Sequence, residues 1–126
     1  MATQTATMTT QEIADQLVTL CRQGDWEKVQ RELFAKDVVS IEPYASPEFE
    51  KETRGLDAII EKGHKFQSMT EQIHKLEVSD PIVAGNSFAC TMRMDMTMKE
   101  KGRMDMAELC VYKVKNGKIV SEEFLV

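Results

Sequence analysis

Hydrophobic positions in the first half of the chain recur at helical spacing. Thr9 and Glu12 have the spacing of a capping box, and apolar residues follow every three or four positions up to Gly24. Asp25 stands where it can cap a second, shorter helix that begins at the next residue. The same periodicity returns over residues 56–66. The pattern therefore predicts three helices, the first two joined as a hairpin.

The remaining segments have the features of strands and turns. Residues 37–43 are β-branched and end at a proline, which predicts a short strand closed by Glu42. Residues 43–54 carry two prolines among charges and are expected to form a loop. From residue 71 the period becomes two, and three turn signals predict four consecutive antiparallel strands, at about 71–84, 87–99, 103–115 and 118–125.

Alternation in these strands predicts a sulfur-rich inner face. One side of the 87–99 strand carries Phe88, Cys90, Met92, Met94, Met96 and Met98. The facing row of the next strand carries Met104, Met106, Glu108, Cys110, Tyr112 and Val114, so Glu108 is a carboxylate in an apolar row. The chain has nine methionines and one tryptophan. Because methionine is unbranched and polarisable, this balance indicates an adaptable cavity.

Composition narrows the class of protein. The net charge of -5 is spread along the chain without a Lys/Arg run, so nucleic acid is not expected as a partner. No apolar stretch is long enough to cross a bilayer, and the opening MATQTATMTT lacks the features of a leader, so no membrane association and a cytoplasmic location are expected. The three cysteines form no C-x-x-C pair, so neither a disulfide framework nor a metal site is predicted. No cofactor motif is present, and no cofactor is expected.

The composition also suggests one domain. Residues 1–8 are small and polar and are expected to be disordered, whereas residues 9–126 are expected to form a single domain. Helices in the first half and a strand meander in the second predict the α+β class, with helices packed on one face of a sheet.

Three segments resemble the nuclear transport factor two-like superfamily, and within it the SnoaL-like proteins. They are the helix hairpin with Gly24-Asp25-Trp26, the strand ending Ile41-Glu42-Pro43, and the closing NGKIVSEEF at 116–124. The resemblance implies a cone-shaped roll in which three helices pack on a curved, mostly antiparallel sheet around one pocket. The superfamily includes polyketide cyclases, ketosteroid isomerases and protein-binding modules, so the resemblance by itself does not assign a function.

Individual positions can be compared with the ketosteroid isomerases. In those enzymes an acidic residue before a proline on the first strand is the general base, and Glu42 matches it. Leu17 stands at the position of the donor tyrosine of the isomerases, and Cys110 at the position of their protonated aspartate. Glu108 lies two residues earlier on the same face. The resemblance therefore implies a base without the isomerases' oxyanion donors.

These positions lead to a hypothesis for the site. A small, largely apolar ligand, such as a carbonyl compound, is expected between Glu42, Glu108, Cys110, Leu17, Met92, Met94 and Met106. Glu42 is then a desolvated base, or else a strand-end carboxylate bonded to loop amides. Glu108 is either the acid coupled to Glu42 or a residue that sets strand register.

Four further side chains have alternative interpretations. His64 either looks into the mouth of the cone as a proton relay or is a flank residue. His74 lies on a strand whose face alternation does not settle. Tyr44 either donates to a bound carbonyl or packs as a lid, and Tyr112 is expected in the core.

Three functions therefore remain open at this point. The first is ligand binding without an assigned role, the second is an acid–base isomerase or cyclase step with Glu42 as base, and the third is a noncatalytic dimeric interaction module. Leu109 and Val111 project from the opposite face of their strand, which favours a homodimer through the outer face of the sheet.

Overall fold

The computed structural model describes residues 7–126, so residues 1–6 of the segment 1–8 that is expected to be disordered lie outside the described residues. Met8 is partly buried and packs against the core. Three α-helices span α1 Thr10–Arg22, α2 Trp26–Leu33 and α3 Leu56–Met69. Seven strands span β1 Phe34–Ile41, β2 Glu52–Arg54, β3 Thr70–Val78, β4 Ile82–Ala84, β5 Ser87–Met98, β6 Gly102–Lys115 and β7 Lys118–Leu125. No helix in the described part of the chain is long and apolar enough to cross a membrane.

The helix boundaries follow the predicted caps. At the start of α1 the Glu12 N–H donates to Thr9 Oγ1 and the Thr9 N–H donates to Glu12 Oε1, so the predicted capping box is confirmed. Asp25 occupies the N-cap position of α2, but its side chain makes no capping hydrogen bond. The prediction of that helix is correct and the predicted bond is wrong. Its backbone carbonyl accepts from the Val29 N–H instead.

The sheet is mostly antiparallel, as predicted. Its strand order is β2-β1-β7-β6-β5-β3, with β4 paired to β5 outside this path. The single parallel pair along the path joins β1 to β7. The turn between β6 and β7 has positive φ at both Asn116 and Gly117, the geometry that the strong Asn-Gly hairpin signal requires. The fold is α+β, with the helices packed on one curved sheet.

Two predicted segments differ from the structure. The strand expected at 71–84 is divided into β3 and β4 because Pro81, which has no N–H to donate to a ladder, lies between them. The loop expected at 43–54 ends in β2, which pairs with β1 through Val39 and Arg54. A charged three-residue edge strand has no alternation of its own, so its pairing partner determines it.

The core lies between α1 and the concave face of the sheet. Ile13, Leu17 and Cys21 of α1 are buried against Phe88 and Cys90 of β5 within one apolar cluster. The even-numbered residues of β5 face inward, as predicted, and four of its methionines form part of that face. The sheet continues beyond the end of α1, and there the concave face is left open toward α2 and α3.

Candidate functional site

A cavity of about 220 Å³ lies between the concave face of the sheet and helices α2 and α3. Its apolar wall is made by Met92, Met94, Met96 and Met106 of the central strands. Aromatic side chains complete this wall, namely Trp26, Phe49, Phe66, Tyr112 and Phe124. Six ionisable side chains reach the same cavity: Glu27 and His64 at its mouth, and Glu42, Lys62, Glu108 and Glu122. The structure therefore brings a thioether and aromatic surface together with a compact set of charges.

A chain of polar contacts connects two of the carboxyl groups. Lys62 Nζ lies 3.4 Å from Glu42 Oε1. The same Nζ donates to Ser40 Oγ at 3.3 Å, and Ser40 Oγ donates to Glu122 Oε2 at 2.8 Å. Lys62 Nζ also lies 6.0 Å from the ring centroid of Phe124. One ammonium group thus stands between Glu42 and Glu122.

The backbone holds each member of this chain in place. Glu42 directly follows β1, and its N–H donates to the Lys51 carbonyl at 2.7 Å, which fixes the start of the loop. Ser40 and Glu122 are register partners in the parallel β1–β7 pair, so their side chains share a face. Lys62 comes from the middle of α3, which packs across β1. Side chains from the end of β1, from the β1–β7 pair and from α3 therefore meet in one place.

Glu122 is a buried carboxyl group. The pKa of Glu122 is raised to about 7, mainly by burial and to a smaller extent by the charge of Glu42. The hydrogen bond from Ser40 and the ammonium of Lys62 act in the opposite direction. Near neutral pH the group is therefore divided between its acid and its carboxylate form.

Glu108 lies on β6 opposite Met92 and faces the apolar wall. Burial raises the pKa of Glu108 to about 7, with smaller contributions from the charges of Glu42 and Glu122, while Lys62 lowers it. Within residues 7–126 its carboxyl group makes no side-chain hydrogen bond, yet no fully buried polar atom in this range is unpartnered. The carboxyl oxygens of Glu108 are therefore reachable from the cavity and free to bind a ligand.

The mouth of the cavity carries a separate hydrogen-bonded pair. His64 Nε2 lies 2.5 Å from Glu27 Oε1, and Glu27 also accepts from Arg31. These bonds hold the pKa of Glu27 below its usual range. His64 lines the cavity but is half exposed. It therefore joins α2 to α3 at the rim of the cavity, and a role as a proton relay stays a prediction.

Three predicted pocket residues lie elsewhere. Leu17 is completely buried in the core, because its face of α1 packs on the part of the sheet that contains Phe88 and Cys90. Cys110 shares the inner row of β6 but lies opposite Cys90, where α1 covers the sheet. Tyr44 is 66% exposed in the loop after β1. These three placements are corrected, since Leu17, Cys110 and Tyr44 do not line the cavity.

Two further side chains from the sequence analysis, His74 and Tyr112, lie in different surroundings. His74 Nε2 contacts Thr97 Oγ1 at 2.6 Å in an exposed position away from the cavity. Tyr112 is buried as expected, and it also lines the cavity while stacking on Phe88 at 4.8 Å between ring centroids. Within the described part of the chain, no three His, Cys, Asp or Glu side chains converge to hold a metal ion.

Sequence reasoning missed Glu122, Lys62 and Ser40. Strict alternation from Ile119 would turn Ser121 and Glu123 inward, but the β6–β7 register shifts near Val114. The buried positions at the start of β7 are consequently Ile119 and Glu122. The adjacent residues Glu122 and Glu123 indicated an acid at this place in the sequence. The sequence did not indicate which of the two faces inward. Lys62 and Ser40 carried no signal, because their significance depends on long-range pairing.

Comparisons with known proteins agree on one family. The family model of the SnoaL-like domain matches residues 8–126. A crystal structure of a candidate SnoaL-like polyketide cyclase from Mesorhizobium loti, also described as a carbohydrate phosphatase, is 34% identical to this chain. The match covers 94% of this chain and 100% of that chain, with a TM-score of 0.87.

More distant structures support the fold alone. A candidate isomerase from Bacillus subtilis is 22% identical, covering 93% of this chain and 88% of its own, with a TM-score of 0.69. IdmH, a candidate polyketide cyclase from Streptomyces antibioticus, is 19% identical, covering 94% and 91%, also with a TM-score of 0.69. Among curated proteins no significant match was found.

Proposed function

This chain belongs to the SnoaL-like domain family, and on that premise we propose that its cavity binds a small, largely apolar molecule through one polar group, such as a ketone carbonyl. The observation that carries this proposal is Glu108, whose carboxyl group faces the methionine wall without a hydrogen-bond partner among the described residues. Because this half-buried carboxyl group has no protein partner among the described residues, a ligand atom in the cavity can form a hydrogen bond with it.

The protonation of Glu108 selects the type of ligand atom. A neutral carboxyl group donates one hydrogen bond, whereas a carboxylate only accepts. Because burial raises the pKa of Glu108 to about 7, the donating form is well populated at neutral pH. A carbonyl oxygen is an acceptor that fits this donor, and the methionine and aromatic side chains can adapt to the apolar remainder of the molecule.

A matched pair of probes tests this proposal. Acetophenone and α-methylstyrene have nearly the same shape and differ in C=O against C=CH₂. Ligand-detected NMR at about pH 6 should show acetophenone binding roughly 10-fold more tightly, the value of one hydrogen bond. Glu108→Met should abolish this preference, and the control Glu123→Met, on the exposed side of β7, should retain it. Equal binding of both probes to the unmodified protein, or no binding of either, would contradict the proposal.

A second candidate function is proton transfer next to the bound carbonyl. It is favoured by the position of Glu42, whose carboxylate lies 3.4 Å from Lys62 Nζ and lines the same cavity as Glu108. Glu42 would remove a proton from the carbon beside the carbonyl, and the electron pair of that C–H bond would become the C=C bond of an enol. Glu108 would give its proton to the carbonyl oxygen.

Hydrogen exchange of the acetophenone methyl group in D₂O tests this second function. The protein should accelerate exchange, and Glu42→Gln should remove the acceleration while the far-UV circular dichroism spectrum stays the same. Glu52→Gln is the matched control, because Glu52 is an exposed acid on the neighbouring strand β2. Equal exchange rates with the protein and with Glu42→Gln would exclude Glu42 as the base.

The proposal also includes a homodimeric assembly and a cytoplasmic location. Leu109 and Leu125 are register partners on the outer face of the sheet, 39% and 43% exposed, which supports a homodimer through that face. The three cysteines are buried free thiols, which suits the reducing cytoplasm. The noncatalytic alternative, a dimeric protein-interaction module, would keep this dimer but bind neither probe.

A further inference from the structure

Lys62 connects two carboxyl groups of the cavity in different ways. We propose that Lys62 is a positioning residue that divides the proton-transfer roles: it pairs directly with Glu42, the base, and through Ser40 it orients Glu122 as a second hydrogen-bond donor to the carbonyl oxygen, which receives its proton from Glu108. This inference rests on the proposed function, because the two roles acquire a meaning only when a ligand is bound.

The contacts of Lys62 are unequal. Its ammonium group faces Glu42 directly, with 3.4 Å between Nζ and Oε1 and both side chains largely removed from solvent. It reaches Glu122 only through the hydroxyl group of Ser40. A direct ion pair favours the charged form of a carboxyl group more strongly than a contact through a hydroxyl. The ammonium group is therefore a direct partner of Glu42 and only an indirect partner of Glu122.

The direction of the hydrogen bonds supports the same division. An ammonium group has donors only, so Ser40 Oγ must accept from Lys62. Its single proton is then given to Glu122 Oε2, which acts as an acceptor. A proton on Glu122 consequently belongs on Oε1, the oxygen that Ser40 leaves unused. Because Glu122 lines the cavity, this proton is within the ligand space.

Groups from every neighbouring element act on or respond to Glu122. From β1 come Ser40 and, at its end, Glu42, and from α3 comes Lys62. On β6, the charge of Glu122 contributes to the raised pKa of Glu108, as it does for the neighbouring Tyr112 and Cys110, and for Cys21 of α1. Lys62 lowers the pKa of both Glu108 and Glu122, whereas the bond from Ser40 lowers that of Glu122 alone. Variants of Lys62 and of Ser40 should therefore have distinguishable effects.

Titration of the glutamate side-chain carboxyl carbons by NMR tests the inference on the protein without ligand. In Lys62→Met the midpoints of Glu108 and Glu122 should both move upward, by about one pH unit for Glu122. In Ser40→Ala the midpoint of Glu122 should rise while that of Glu108 stays in place. Lys62→Arg should restore most of the original midpoints. Lys65→Met, one turn along the same helix, is the matched control and should move neither.

Two results would overturn the inference. One is an unchanged Glu122 midpoint in Lys62→Met, which would show that the ammonium group does not act on this acid. The other is an equal shift of Glu108 and Glu122 in Ser40→Ala, which would indicate general loosening of the cavity. If Lys62→Met does not fold, Lys62→Gln removes the same charge with a polar side chain and is titrated in its place.

The pH profile of acetophenone hydrogen exchange tests the division of roles. The exchange rate should fall at least 10-fold in Glu122→Gln, and its pH optimum should move upward in Lys62→Met. An unaltered rate and optimum in these variants would overturn the assigned roles. Absence of exchange with the unmodified protein would instead reject the proton-transfer function, while the ligand-free titrations would still report whether Lys62 controls Glu122.

Discussion

Ser40 and Glu122 are 82 positions apart in the sequence, and Ser40 Oγ donates a 2.8 Å hydrogen bond to Glu122 Oε2. The bond links β1, which follows the helix hairpin, to β7, the last strand, across the parallel pair of the sheet. It secures a buried acid at the wall of the cavity. Changes in the charge of this wall should therefore affect both ligand binding and the stability of the fold.

The preference for a carbonyl ligand should depend on pH through Glu108. Its pKa of about 7 means that the donating acid form is lost as the pH rises through that value. The preference for acetophenone over α-methylstyrene should be present at about pH 6 and largely absent at about pH 8.5. Glu108→Gln has an amide donor at every pH, so its preference should persist at the higher pH. The preference is measured by NMR titration of both probes at each pH. A pH-independent preference in the unmodified protein would contradict this assignment.

The stability of the fold should decrease with pH through Glu122. A glutamate in the unfolded chain titrates near 4.3, whereas burial raises the pKa of folded Glu122 to about 7. The native state therefore binds the extra proton between these values, and its stabilising effect is complete below the lower one. As the pH rises through about 7 the effect is lost, on the order of 2 kcal/mol for this group.

Urea unfolding at several pH values between about 5 and 8 measures this loss. Glu122→Gln cannot titrate at this position, so its unfolding free energy should fall less steeply over the same range. The exposed Glu123→Gln is the control and should retain the original slope. Identical slopes in all three proteins would show that Glu122 is already charged in the folded state at low pH.

Truncation of Leu17 should show that the core residues and the cavity residues have different roles, in stability and in binding respectively. Leu17→Ala removes a completely buried side chain and should lower the free energy of unfolding by about 3 kcal/mol. The affinity of the folded protein for acetophenone should not change. Met94→Ala, in the cavity wall and only partly buried, should weaken probe binding at a smaller cost in stability. A large loss of affinity in Leu17→Ala would indicate that Leu17 does contribute to the binding site.

The outer face of the sheet should control assembly. Leu109→Lys places a charge at the centre of the apolar pair with Leu125 and should convert a dimer to a monomer in sedimentation or native mass spectrometry. Lys113→Leu, on the same strand and face, serves as the control and should leave the dimer intact. A monomeric unmodified protein would reject the proposed dimer.

Local patterns in the sequence predicted much of the architecture. The Thr9–Glu12 capping box and the Asn116-Gly117 turn involve neighbouring residues, so their chemistry determines them directly. The inner face of β5 followed from alternation over 12 residues. In contrast, β2 could not be predicted, because three residues of an edge strand become ordered only by pairing with β1.

The candidate site was predictable only in part. Glu108 was singled out because an acid in an apolar row is a local anomaly, and Glu42 because it matches the position of the base in the ketosteroid isomerases that the chain resembles. Leu17 and Cys110 were placed in the cavity wrongly, since a residue on an inward face can be covered by a helix instead of lining a space. Glu122 was overlooked because the register shift near Val114 changes which side of β7 is buried.

The sequence by itself determined the helices, the meander and the methionine face, because each depends on a repeat of two to four residues. Only the tertiary structure decided that Glu42, Lys62, Ser40 and Glu122 meet. Their approach requires the parallel pairing of β1 with β7 and the packing of α3 across β1. Such pairings are selected by the closure of the whole sheet, and no short stretch of sequence contains the information that specifies them.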